Sequence, residues 1–263
     1  KMQLQHRLTD KKKIGVDIQQ PEKAFKIGFN EQFDTIFVEG KKEIPLLTHA
    51  WQKDPSIFHL TGLPRNDDLA VVSNNEIEAI KTRLGIPLTK KVIMYAPTFR
   101  EFSRSEDGRN ALGIPIDFSK WEAALGQEFV LLITAHYEVS KLLDELPDND
   151  FIINAFKYPV LNDLIKVSDI LISDYSSIVF DYSIMERPIF CYGYDYDDYL
   201  VERGLGQLFS HGVLRTEDEL LSAIKSINYD KECAYTRDCI NNEYIASYGN
   251  ASEKAVKIIF QGA

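Results

Sequence analysis

The sequence predicts an α/β chain of parallel strands arranged in two halves. Three observations predict it. Short apolar runs at residues 91–95, 129–133 and 170–172 have the length and continuity of strands buried on both faces. Around the last run the order is strand, polar turn, helix, strand. Asp174-Tyr175-Ser176-Ser177 ends the strand, Ile178, Phe180, Tyr182 and Met185 lie on a helical stretch, Pro188 stops it, and residues 189–192 resume as strand. Gly85 and Pro87 close a helical stretch at 74–84 and mark the junction between the halves.

Met2 and Leu4 are expected at the end of a strand, leaving His6 in a polar loop before the basic cluster Lys11-Lys12-Lys13. Residues 33–38 alternate as a strand, and Glu39-Gly40-Lys41-Lys42 turns out of it. A helix is expected over 45–52, a strand over 57–60, then a loop, Thr61-Gly62-Leu63-Pro64-Arg65-Asn66-Asp67. Ile77, Ile80 and Leu84 share one face of the helix at 74–84. Ala96-Pro97-Thr98-Phe99-Arg100-Glu101 leaves the strand at 91–95 and leads into a polar, glycine-bearing loop over 101–115. A helix at 118–125, the strand at 129–133, a strand at 151–153 and a helix at 160–167 precede the central unit. After it, Tyr192 to Gly206 reads as a loop, Thr216 and Glu219 form a capping box, and helices are expected over 229–246 and 251–260.

Composition bounds the function. The chain has 263 residues, a hydrophobic share of 44% and a formal charge of −10, which suits a soluble globular protein and lacks the basic footprint of a nucleic-acid binder. No apolar run approaches the ~20 residues that span a bilayer. Cys191, Cys233 and Cys239 are widely spaced without a CxxC, which points to a reducing compartment with neither a disulfide framework nor a zinc site. The chain begins at Lys1 rather than Met, so a longer protein with upstream elements is expected.

Candidate chemistry gathers where strands hand over to loops. In an open α/β sheet that edge binds ligands. A helix opening on Ser176-Ser177 presents free backbone N–H groups, two hydroxyls and the positive end of its dipole, a spot suited to phosphate; a plain N-cap is the other reading. Thr98 and Arg100 are candidates to hold the same phosphate, against Thr98 as a turn hydroxyl bonding its own backbone. Arg65 reaches an anionic ligand or pairs with Asp67 or Asp68. His136, at the end of the strand at 129–133, neutralises a phosphate when protonated or caps the next helix. His6 beside cations suits a neutral general base, although from the residues alone a surface histidine on a solvated charged loop is the reading that prevails. Ser252 opens the last helix as an anion contact or a first-turn residue. The aspartates at 195, 197 and 198 lack EF-hand spacing and read as a solvated loop.

Together these segments resemble the CDP-glycerol glycerophosphotransferase family, the teichoic-acid and capsule polymerases of bacteria. The resemblance runs through Gln5-His6, Thr61-Gly62-Leu63-Pro64-Arg65, Tyr95-Ala96-Pro97-Thr98-Phe99-Arg100, His136, residues 168–182, Arg203-Gly204 and Asn250-Ala251-Ser252-Glu253. It implies a GT-B-like fold of two Rossmann-like halves. Residues 1–88 would be a partial, truncated acceptor-side half, and residues 89–263 the nucleotide-donor half. The implied reaction transfers glycerol phosphate, or a related polyol phosphate, from CDP-glycerol or CDP-ribitol to a hydroxyl of a polymer or lipid-linked primer, releasing CMP. The resemblance makes His6 the base and His136 the second essential histidine at the donor phosphates. Thr98, Arg100, Asp174, Ser176, Ser177 and Ser252 fall at the donor phosphates, and Arg65 and Arg203 elsewhere in the cleft. No metal and no cofactor are implied. The partners are the CDP-polyol and the acceptor, with no nucleic acid. The location is cytoplasmic, peripheral to the inner membrane face through segments outside this chain.

Two departures bear on activity. Arg7 follows the first histidine where the family usually has Gly, and Thr134 stands two before the second where a basic residue is common. They keep open a catalytically degenerate binding domain, alongside a GT-B glycosyltransferase that uses a nucleotide sugar.

Overall fold

The computed structural model describes residues 2–4, 33–98, 116–134, 146, 149–174, 176–196, 209–241, 244–245 and 248–261. Their strands form two parallel sheets. The smaller has the order β1-β2-β3, with β1 Met2–Leu4, β2 Thr35–Val38 and β3 Phe58–Leu60. The larger has the order β6-β5-β4-β7-β8-β9. Its strands are β4 Lys91–Ala96, β5 Phe129–Ile133, β6 Ile152–Asn154, β7 Ile170–Ser173, β8 Ile189–Tyr192 and β9 Val213–Leu214. From β4 the chain winds outward one way through β5 and β6, then returns to β7 beside β4 and winds the other way. This reversal is the topological switch point of a doubly wound sheet.

The larger sheet explains its own sequence. Val92, Met94 and Ala96 face one apolar layer, and Ile93 and Tyr95 the other, because successive side chains leave a strand on opposite faces. Helices cover both faces, so β4 and β5 read as unbroken apolar runs. One layer packs under α2 Asn74–Arg83, α4 Leu161–Val167 and α5 Ile178–Ser183. The other packs under α3 Phe118–Leu125 and α6 Glu217–Lys225, around the fully buried Trp121. Trp121 also donates its indole N–H to Glu217 at 2.8 Å, which joins α3 to α6. Removing a side chain of that size from water contributes about 2–3 kcal/mol before its entropy cost. The smaller sheet buries Ile36, Val38 and Phe58 against Leu47, Ala50 and Trp51 of α1 Glu43–Trp51.

Local signals place the ends. Ser73 accepts the N–H of Glu76 to open α2, and Gly85 takes φ +71° after it, a conformation that a side chain resists. Thr216 and Glu219 form the expected capping box, each side chain accepting the other's backbone N–H. Three findings differ from the sequence reading. The stretch expected as one helix over 229–246 is α7 Tyr229–Tyr235, which widens into a π-helical turn at Thr236–Asn241. There the buried Thr236 hydroxyl donates to the Arg187 carbonyl at 2.9 Å, a tertiary bond outside the helical ladder. β9 follows the left-handed Gly212 and is too short to leave a pattern. The loop expected after β3 contains a 3₁₀ turn, Pro64–Leu69.

α2 belongs by packing to the larger sheet, since Ile80 lies in its core together with Leu69 and Ile86. The last helix, α8 Ala251–Gln261, returns to the 3₁₀ turn at Pro64–Leu69. Just before it, Tyr244 lies against Gly40, beyond the end of β2. A Cβ on Gly40 would sit 2.1 Å from the Tyr244 carbonyl oxygen. Lys42 stands 4.6 Å over the Tyr244 ring, which also lies 5.3 Å from the Phe180 ring of α5.

Candidate active site

Register sets the site. Ala96 pairs with Ser173 and Tyr95 with Ile133, so β5, β4 and β7 end side by side. The described residues that follow these three strands therefore lie along one edge of the sheet. After β4 comes Thr98, after β7 come Asp174, Ser176 and Ser177, and after β5 comes Thr134, whose N–H donates to the Tyr95 carbonyl at 3.0 Å.

Two of these loops are tied together. The buried Asp174 carboxylate accepts the Thr98 backbone N–H, at 3.0 Å to one oxygen and 2.9 Å to the other, and it accepts the Thr98 hydroxyl as well. Ser173 adds a bond from its hydroxyl to the Ala96 carbonyl at 2.7 Å. The sequence leaves Thr98 as a phosphate contact or a turn hydroxyl bonding its own backbone. In the structure its hydroxyl donates to Asp174 rather than to its own backbone. Asp174, an acceptor-only group when ionised, acts here by holding the loop after β4.

The serine turn is built differently from a simple cap. Ser177, at the N-cap position of α5, makes no side-chain cap bond. Ser176 supplies one, its oxygen accepting the Ile178 N–H at 3.3 Å. α5 is buried behind the turn, with Val179, Phe180 and Tyr182 wholly enclosed. Burial pushes the Tyr182 phenol far up, and its hydroxyl donates to the Ser168 carbonyl at 2.9 Å. The turn thus sits on a firm base.

In the sequence the 3₁₀ turn Pro64–Leu69 is only a loop carrying Arg65. In the structure four consecutive polar side chains leave it in different directions. Arg65 pairs with Asp181 of α5 at 3.1 Å. An acid partner is one of the two sequence readings of Arg65, but the expected acids were Asp67 and Asp68, which have other partners. Asn66, fully buried, donates to Asp181 at 2.5 Å and to Glu39, at the end of β2, at 3.1 Å. Asp67 accepts the backbone N–H groups of Ala251 and Ser252, both at 2.8 Å. Asp68 meets Lys166 of α4 at 2.8 Å and Asn162 at 2.5 Å.

Ser252, expected at the donor phosphates, therefore lies at a helix start already occupied by the chain's own carboxylate. Burial draws the Asp67 carboxyl upward, but bonds from Ser252, Ala251 and Gly249 outweigh it and leave its pKa below the ordinary value. Lys166 is similar in reverse. Burial disfavours its charge, and Asp68 with Glu76 more than restores it, so its pKa is raised.

His6, Arg7, Arg100, His136 and Arg203 lie outside the described residues, as do residues 197–208 of the acidic loop. Two described positions come shortly before the histidines in the chain. Leu4, two before His6, ends β1 in register with Phe37, and Thr134, two before His136, comes just after β5. Among the described residues no group of three or more His, Cys, Asp or Glu side chains is placed to hold a metal ion. No described helix is long and apolar enough to cross a membrane. Glu39, Asn66 and Asp181 escape a reading of the sequence because their partners lie 27 and 115 residues apart in the chain.

Comparison with known proteins adds to this geometry. A family model described as CDP-Glycerol:Poly(glycerophosphate) glycerophosphotransferase matches residues 1–261. A teichoic acid glycerol-phosphate transferase of Staphylococcus aureus is 31% identical over 96% of this chain and 69% of its own length. The teichoic acid poly(glycerol phosphate) polymerase of Bacillus subtilis is 33% identical over 82% of this chain and 30% of its own. The chain spans between 21% and 69% of the length of such relatives. Among solved structures, the wall teichoic acid polymerase TagF superposes with a TM-score of 0.84 at 27% identity, covering 95% of this chain and 66% of that one. A variant of the same polymerase, soaked with CDPG, gives 0.82. A UDP-GlcNAc 2-epimerase from Neisseria meningitidis, at 0.56 and 18% identity, shares the fold alone. The two parallel sheets are thus a GT-B-like fold, as the sequence resemblance implied.

Proposed function

This chain belongs to the CDP-glycerol:poly(glycerophosphate) glycerophosphotransferase family, and from that premise we propose that it transfers glycerol phosphate from CDP-glycerol to a hydroxyl of a teichoic-acid-like acceptor. The acceptor oxygen attacks the phosphorus that carries glycerol. The bond from that phosphorus to the bridging oxygen breaks, CMP leaves with that oxygen, and a phosphodiester forms. The acceptor proton goes to His6, the general base by its match to the family motif. His136 and Arg100, matched in the same way, meet the diphosphate and stabilise the charge that collects on CMP. Arg203 lines the cleft.

Among the described residues the donor turn is Ser176-Ser177. Thr98 and Asp174 serve it by tying the loop after β4, which leads to Arg100, against the loop after β7. The start of α8, with Ser252, is a structural joint in this reading. The reaction sits on the cytoplasmic side, with the acceptor at the inner membrane face.

What supports the reading most is that the Thr98–Asp174 tie and the Ser176-Ser177 turn meet at the switch point between β4 and β7, where sheets of this order bind nucleotides. The test is CMP release from a panel of CDP-glycerol, CDP-ribitol and sugar nucleotides, with and without a glycerol-phosphate primer. Acceptor-dependent CMP release from CDP-glycerol is expected, falling about 100-fold or more in His6→Ala and in His136→Ala. Release from sugar nucleotides alone, or variants as active as the wild type, overturns the proposal.

A further inference from the structure

The proposed reaction needs two halves in register, because the proposed base, His6, follows β1 in the chain and the proposed phosphate turn, Ser176-Ser177, follows β7. Asn66 stands between them. Its single amide nitrogen donates to Glu39, just past the end of β2, and to Asp181, which lies in the helix behind the serine turn. A neutral amide has two N–H hydrogens, one for each carboxylate. Among the described residues its oxygen has no hydrogen-bond partner, so the side chain is held by what it gives. Glu39 and Asn66 are each 1% exposed and Asp181 is 9% exposed, so these bonds act where water screens little. Two carboxylates that share one nitrogen repel each other, and the Arg65 guanidinium on Asp181 offsets that repulsion. The neighbours Asp67 and Asp68 anchor the same turn to α8 and α4, so Asn66 reaches out from a fixed point.

We infer that Asn66 is a positioning residue for the transfer: by bridging Glu39 and Asp181 it sets the distance between the acceptor-side strand ends and the donor turn. This rests on the function proposed above. It predicts a particular split. The donor turn itself stays intact when the bridge is cut, so the donor still binds, whereas the acceptor hydroxyl no longer meets the phosphorus and turnover falls.

The test replaces Asn66 by Asp, which keeps the size and turns the donor into a third acceptor. Asp181→Asn, which adds no charge to the cluster, is the second arm. Nitroxides at exposed sites in the two halves, through Ser56→Cys and Lys225→Cys with Cys233 and Cys239 changed to serine, report the separation by pulsed dipolar spectroscopy. CDP-glycerol affinity and kcat are measured on the unlabelled variants. The expected result is a broader distance distribution, a kcat lowered about 30-fold in Asn66→Asp and less in Asp181→Asn, and a donor Kd within about threefold of wild type. A distribution as narrow as wild type overturns the inference, as does a Kd that weakens in step with kcat. If the wild type itself releases no CMP, the proposed reaction falls, and the distance distributions alone decide whether Asn66 bridges the halves.

Discussion

Replacing Thr98 by Val removes one hydroxyl and keeps the shape. In the wild type that hydroxyl donates to the Asp174 carboxylate, and the Thr98 backbone N–H is shared between its two oxygens at 3.0 and 2.9 Å. The carboxylate is 2% exposed, so little water stands ready to replace a lost donor. A hydrogen bond to a buried charge contributes about 1.5–3 kcal/mol, and the surviving backbone bond puts this case toward the lower end, about 1.5–2 kcal/mol. Urea unfolding of Thr98→Val should therefore show a lower midpoint at an unchanged slope. Thr98→Ser, which retains the hydroxyl, should lie within about 0.5 kcal/mol of wild type. Arg100, the proposed donor contact, follows Thr98 by two residues, so under the proposed function acceptor-dependent CMP release should fall about tenfold in Thr98→Val, the rate equivalent of ~1.4 kcal/mol. A Thr98→Val protein of wild-type stability and wild-type rate would show that the Thr98–Asp174 tie holds nothing the site needs.

Two further predictions concern the joints around the site. Asp67→Asn weakens the cap on α8 and should cost about 1 kcal/mol at neutral pH. Its pH dependence has a definite sign. The folded Asp67 has a pKa below the ordinary 3.8, so its stabilisation is fully present above that value and is lost as pH falls through the folded pKa. The gap between wild type and Asp67→Asn, measured by urea titration, should be constant at neutral pH and close only below about pH 4. Gly40→Ala places a methyl 2.1 Å from the Tyr244 carbonyl oxygen, so the backbone must move, at about 2–3 kcal/mol. A melting temperature unchanged in Gly40→Ala would mean that the segment around Tyr244 does not seat on the turn after β2.

Much of the fold is legible in the sequence because its signals are local. The apolar runs of β4, β5, β7 and β8 are continuous because helices cover both faces of the sheet, and a short continuous run needs no distant partner to be read. The Thr216–Glu219 box and Gly85 declare their helix ends within a few residues. The candidate site is legible in part for the same reason, since loops after buried strands are where ligands bind in such sheets. What stays hidden is long-range. Nothing near Arg65 points to Asp181, 116 residues away, so the nearer acids Asp67 and Asp68 look like its natural partners. Thr98 and Asp174 stand out separately as phosphate contacts, and only the pairing of β4 with β7 turns them toward each other. Ser252 reads as an anion contact or a first-turn residue, and nothing near it points to the carboxylate of residue 67 that its amide meets. The π-helical turn after α7 is the opposite case, a helical pattern that continues with a wider ladder where the Thr236 hydroxyl also bonds the Arg187 carbonyl.

The cap on α8 has a consequence for how the molecule is assembled. The carboxylate belongs to residue 67 and the amides it receives to residues 251 and 252, more than 180 positions later. A chain emerging in order makes the receiver long before the donor exists. Until the last helix docks, Asp67 is an uncapped negative charge on a turn whose neighbours already grip α4 and α5. Closure of such a long loop is entropically late. α8 thus docks onto a turn that contacts within residues 39–181 already place.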